Sequence, residues 1–110
     1  MHKNLRLVYI TTQSSDEAKQ IGRKIIEQNL AACVNIIPGM TSLYRWKGKI
    51  QHDEETILLV KTHTSKIQNL TQFVKKVHPY DCPCVISLTL AEDEGNEEYL
   101  NWLLSESKDI

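Results

Sequence analysis

The sequence predicts an α+β fold: a ferredoxin-like β-α-β-β-α-β order (the split βαβ sandwich) with one helix added at the C-terminus. Three observations carry this. Short strand-like runs alternate with two segments whose apolar residues recur at helical spacing. Ser14 with Glu17 and Ser65 with Gln68 read as capping boxes that start those helices. A tight turn at Lys47-Gly48-Lys49 folds the middle of the chain into a hairpin, so the sheet is expected to be antiparallel.

Each element has a local reason. Leu5 to Thr11 alternates Leu5, Leu7 and Tyr9 with Arg6, Val8 and Ile10. Both sets hold apolar residues, as in a central strand covered on both sides. Ala18, Ile21, Gly22, Ile25 and Ile26 then repeat at helical spacing, and Asn29 is the expected stop. Ala31 to Ile37 is the second strand candidate, closed by Pro38-Gly39. Thr41 to Trp46 is a further β-rich segment, and Ile50 begins the return arm. Thr56 to Thr62 is an apolar run expected to be buried. Ile67, Leu70, Thr71, Val74 and Val77 share one face of the second helix, which Pro79 ends. Val85 to Ala91 is the last strand. An acidic turn, Glu92 to Glu98, leads to a helix held down by Tyr99, Leu100 and Leu103, with Trp102 beside them. Both long helices are expected on one face of the sheet. The other face, assigned Val8, Ile10 and either Ile57 with Leu59 or Leu58 with Val60, stays uncovered. Such a patch marks an interaction surface, so a homo-oligomer is expected.

Composition narrows the function classes. The chain has 110 residues, so a single domain over 1–110 is expected. It is 41% apolar and 25% charged, with a formal net charge of −1. That balance argues against a nucleic-acid partner, which needs clustered Lys and Arg. No apolar run approaches the ~20 residues of a membrane span, and the first residues lack a signal-peptide core, so no membrane partner is expected. Three cysteines give no paired disulfide framework, and a reducing, cytoplasmic home is the simplest expectation. No Ser-His-Asp signature, P-loop or dinucleotide-binding glycine pattern is present. A Cys33–His78 nucleophile pair is conceivable, but the expectation is a protein without catalytic activity.

The chemistry-bearing run is His78-Pro79-Tyr80-Asp81-Cys82-Pro83-Cys84. Each proline fixes φ and pushes the residue before it toward extended geometry. The run reads either as a rigid helix-to-strand connector or as a soft-metal or small-ligand site around His78. Cys82 and Cys84 are two apart; in a strand both thiols would point the same way and could share one Cu(I). They also read as incidental thiols. His78 can act as a cation at a helix C-terminus or as a ligand. Cys33 reads as a small buried hydrophobe or a cleft thiol. The acidic stretch lacks the spacing of a Ca2+ loop and reads as a solvated turn.

Several segments line up with one family. Leu30-Ala31-Ala32-Cys33-Val34-Asn35-Ile36-Ile37-Pro38 resembles the second-strand signature of the CutA (divalent-ion tolerance) proteins, as does Thr41 to Ile50. Lys61-Thr62, His78-Pro79-Tyr80 and Tyr99-Leu100-Asn101-Trp102 complete the pattern, in order and at the family's spacing. The resemblance implies a ferredoxin-like subunit in a compact homotrimer akin to the PII signalling proteins, a role in tolerance of divalent metals, and copper as the ion. At the positions of some bacterial members' copper ligands this chain has Thr11 and Val77, and only His78 matches. The metal candidates are therefore His78, Cys82 and Cys84. The cleft candidates are Cys33, Trp46, Glu55, Lys61 and Tyr80. The family match favours Lys61 as an anchor for an anionic ligand, and Glu55 as its partner or as a cleft carboxylate. Trp46 and Tyr44 on the hairpin read as core residues, subunit glue or a stacking wall, with subunit packing the safest choice. Two other roles stay open: a PII-like sensing module that takes a small anionic ligand between subunits, and a stable trimeric scaffold for a partner protein.

Overall fold

The computed structural model describes residues 1–107. Its elements are β1 (Leu5–Thr12), α1 (Ser15–Glu27), β2 (Cys33–Trp46), β3 (Lys49–His63), α2 (Ile67–Val77), β4 (Val85–Thr89) and α3 (Glu97–Ser107), with a 3-10 turn at Thr64–Lys66 before α2. The four strands form one antiparallel sheet in the order β2-β3-β1-β4. This is the expected ferredoxin-like arrangement.

The helix ends follow local chemistry. Ser14 Oγ accepts from the Glu17 amide at 3.1 Å. The Glu17 carboxylate reaches back to the Gln13 amide, at 3.3 Å, rather than to Ser14. Asn29, at φ +58°, ends α1. Its amide bonds Ile26 O and that of Leu30 bonds Ile25 O, the paired closure of a Schellman motif. The second capping box does not form as expected. His63 supplies the cap instead, its Nδ1 accepting from the Ser65 amide at 3.1 Å. A 3-10 turn then intervenes before α2.

The two segments expected around Pro38-Gly39 are one strand. The register shifts between Ile37 and Met40, where Gly39 takes φ +80°. The dipeptide makes a bulge rather than an end, because the extra residue is absorbed by a bend while pairing resumes beyond it. Likewise Ile50 and Thr56–Thr62 belong to one strand, β3. Trp46 pairs with Lys49 around Lys47 and Gly48, both at positive φ, the signature of a two-residue type I′ turn. Beyond the bulge this arm is largely exposed, with Leu43, Trp46 and Ile50 at 69, 55 and 73%. The last strand stops at Thr89, two residues before its expected end.

The core lies between the sheet and the two long helices. Val8 and Ile10 of β1, with Leu58 and Val60 of β3, meet Ala18, Ile21 and Ile25 of α1 and Leu70 and Val74 of α2. The assignment of Val8 and Ile10 to the uncovered face is thereby corrected. Val8 pairs with Val60 and Ile10 with Leu58, and all four are buried beneath the helices. Alternation separates the two faces of a strand but does not say which one the helices cover, and here both are apolar. The open face instead carries Leu7, Tyr9, Ile57, Leu59, Ile86 and Leu88, joined by register. Ile86 and Leu88 are about half exposed. Helix α3 lies against β3. Its Leu103 is buried, while Tyr99 and Trp102 stay 40 and 46% exposed.

Candidate functional site

Along the hairpin arm, from Glu55 to Trp46, runs a trough of about 880 Å3. One wall is the arm, with Tyr44, Trp46, Asp53, Glu54 and Glu55. The other is the connector from α2 to β4, with Pro79, Tyr80, Asp81, Cys82 and Cys84. Thr11 and Gln13, at the end of β1, form the floor. Asp53 and Glu55 share a face because residues two apart in a strand do. Pro79 ends α2 and forces His78 into extended backbone (φ −76°, ψ 137°), which aims the connector back over the sheet.

His78 anchors that connector. Its side chain is fully buried. Nδ1 accepts from the Tyr80 amide at 3.1 Å, and Nε2 lies 2.8 Å from Thr11 O, so Nε2 carries the proton and donates. Both ring nitrogens are engaged with backbone, and a metal would have to displace one of these bonds. Glu17 Oε1 is 3.8 Å from Nε2. The Tyr80 ring stacks tilted on the imidazole at 4.6 Å. The Tyr80 hydroxyl then crosses the trough and donates to Glu55 at 3.0 Å. On the arm, the Tyr44 hydroxyl donates to Asp53.

These carboxylates set the local electrostatics. Burial first, then the hydrogen bond to Glu55 and its charge, raise the Tyr80 phenol well above the ordinary tyrosine value. Tyr44 is raised chiefly by its bond to Asp53. Burial, reinforced by Glu55 and opposed by a hydrogen bond from Thr11, pushes the Cys84 thiol up. Cys84 is therefore a thiol at neutral pH, a weak nucleophile that must release a proton to bind metal. None of the lining residues is basic, so the trough favours cations over anions.

The structure thus gathers Trp46, Glu55, Tyr80, Cys82 and Cys84 in one place. It does not bring Cys33 and Lys61 there within one chain. Those two pair in register at the far end of β3, six residues from Glu55, or about 20 Å at ~3.4 Å per residue. Lys61 is not the partner of Glu55. Its amine donates to the Tyr99 hydroxyl at 3.0 Å and lies 5.2 Å from the centre of that ring. Cys33 is half-buried, Cys84 likewise, and Cys82 exposed; all three are free thiols. Among the described residues no three His, Cys, Asp or Glu side chains are grouped to hold a metal ion. The sequence does not single out Thr11, Gln13, Asp53, Glu54 or Asp81 as lining residues. Counting on from the Lys47-Gly48 turn along the return arm places Asp53 and Glu55 on one face.

The sequence of this chain matches the CutA1 divalent ion tolerance protein family over residues 6–106. The chain belongs to that family. It is 48% identical over 97 residues to the divalent-cation tolerance protein CutA of Thermus thermophilus, covering 88% of this chain and 92% of the relative. It is 40% identical over 102 residues to the chloroplastic protein CutA of Arabidopsis thaliana, covering 93% of this chain and 55% of the relative. It likewise spans 65% of a CutA homolog from Xenopus laevis. Among solved structures, the divalent cation tolerance protein Cut A1 of Thermus thermophilus superposes with a TM-score of 0.88 at 44% identity, covering 94% of this chain and 99% of the other. No helix among the described residues is long and apolar enough to cross a membrane.

Proposed function

We propose that this CutA-family chain serves divalent-metal tolerance as a homotrimer of binding rather than catalytic character, and that the trough takes the metal ion, copper first. The observation that carries this reading is the lining: thiols and carboxylates border the trough, and no basic side chain does. Thiols suit Cu(I), and carboxylates draw cations into the trough. Cys82, Cys84 and Glu55 are the proposed donors; among the described residues they line one trough but are not grouped as a ready-made metal site, so they would have to draw together on the ion. His78 is proposed as their support, because both of its nitrogens already hold the connector. One chain offers too few donors for a closed coordination sphere, which fits transient handling or a sphere completed by a neighbour. The half-exposed apolar residues of the open face support self-association. Free thiols are in keeping with a reducing compartment such as the cytoplasm.

The alternative, a PII-like site for a small anion, needs a cation at the trough. Lys61 could enter it only from a neighbouring subunit. The test is Cu(I) affinity of the fully reduced protein by chelator competition, beside Cys82→Ser/Cys84→Ser and Lys61→Ala. Saturation at a fixed ratio per chain, lost in the cysteine variant, supports the metal reading. Absence of competition with a weak chelator, with a metabolite-induced thermal shift lost in Lys61→Ala, would replace it by the anion reading. Sedimentation as a monomer at micromolar concentration would overturn the trimer.

A further inference from the structure

We propose a second divalent-cation site, apart from the trough, formed by His2 and Asp93 where the start of the chain meets the loop before α3. His2 is 4% exposed. Its Nε2 lies 2.8 Å from Asn101 Oδ1, a group that only accepts, so Nε2 carries the proton in the neutral ring. Nδ1 is then left with its lone pair, lies 3.3 Å from Asp93 Oδ1 and is buried without a hydrogen-bond partner. A lone pair and a carboxylate this close repel unless positive charge, either a proton on Nδ1 or a metal ion, sits between them. Asn101 holds the far nitrogen as a carbonyl holds the outer N–H of a metal-bound histidine.

The spacing suits a metal. Two donors at ~2.1 Å from a tetrahedral ion stand roughly 3.4 Å apart, and the two atoms here are separated by 3.3 Å. They open onto a pocket of about 240 Å3; among the described residues no third His, Cys, Asp or Glu side chain is grouped with them, so water would complete the shell. The Met1 ammonium, 3.3 Å from Glu92 and 4.0 Å from Asp93, is the group the ion must displace from Asp93. An imidazole with a carboxylate favours a first-row divalent ion such as Zn2+, Ni2+ or Co2+ over Ca2+ or Mg2+, which prefer all-oxygen shells.

The test uses the full chain with Cys33, Cys82 and Cys84 changed to serine, so that no thiol competes. Zn2+ titrated by calorimetry at pH 7.5 is expected to bind at one equivalent per chain. Asp93→Asn and His2→Gln are each expected to weaken it at least tenfold. Asp93 is exposed, so its variant should keep the fold, and circular dichroism verifies this. In NMR spectra, substoichiometric Co2+ is expected to broaden the amides of His2, Asp93 and Asn101 before those of Tyr44 or Tyr80. Unchanged Zn2+ affinity in folded Asp93→Asn, no saturation up to millimolar Zn2+, or broadening centred elsewhere would each overturn the site.

Discussion

Replacing His78 by alanine separates a structural role from a ligand role. The imidazole satisfies two backbone groups, the Thr11 carbonyl at 2.8 Å and the Tyr80 amide at 3.1 Å. Thr11 is buried, so its orphaned carbonyl costs about 1–3 kcal/mol. Tyr80 is only half-buried and water can reach its amide, so that loss is nearer ~0.5–1 kcal/mol. The tilted ring contact with Tyr80 adds about 0.5–1 kcal/mol. The expected loss is therefore about 3 kcal/mol. It is read from urea unfolding at pH 8 with both proteins at one fixed concentration, because self-association makes apparent stability concentration-dependent. Copper affinity, measured where the variant is still folded, is expected to fall less than it does when both Cys82 and Cys84 are replaced. A variant as stable as the parent, within ~0.5 kcal/mol, that has lost copper binding would refute the reasoning and make His78 a ligand.

Three further outcomes follow from the same geometry. Leu58 is fully buried between sheet and helices, so Leu58→Ala should cost about 2–5 kcal/mol in chemical denaturation. Tyr80 titrates higher folded than unfolded, so the fold gains from its proton at neutral pH and loses that gain as pH rises above the unfolded value of about 10. Tyr80→Phe should then flatten the alkaline limb of the stability profile, and an unchanged limb would count against the Glu55 contact. Exposed Cys82 should react with a disulfide reagent at pH 8 about tenfold faster than Cys84, whose thiol is raised by burial and by Glu55. Mass mapping of the first label would show the order, and labelling of Cys84 first would contradict it.

Much of the fold was legible because its signals are local. Ser14, Asn29, Pro79 and the Lys47-Gly48 turn each act on neighbouring backbone, and each sits where its chemistry placed it. Errors arose where a local signal meets a long-range one. Pro38-Gly39 reads as a strand end, but cross-strand pairing on both sides of it makes a bulge. Ser65 reads as a cap, but His63 was already placed to do that work. Val8 and Leu7 are interchangeable to an alternation count, and only the packing of α1 and α2 chooses between them. At the trough, the run from His78 to Cys84 was conspicuous for its residue types. That Glu55 faces Tyr80 while Lys61 turns to Tyr99 depends on which elements approach, and no spacing encodes that.

The bulge at Gly39 divides the hairpin into two mechanical parts. Below it the strands are backed by helices. Beyond it they form a two-stranded ribbon with no helix behind it, and such ribbons are marginal in water. The arm's amides should therefore exchange with solvent far sooner than those of Val8 or Leu58, unless something outside the subunit grips the ribbon. Tyr44, Trp46 and Asp53 ride on that ribbon, whereas Tyr80 and Cys84 belong to the rigid body. The trough is thus a jaw with one stiff side and one compliant side. A ligand touching both sides would stiffen the ribbon, and linkage makes a neighbour that stiffens the ribbon tighten that ligand by the same factor.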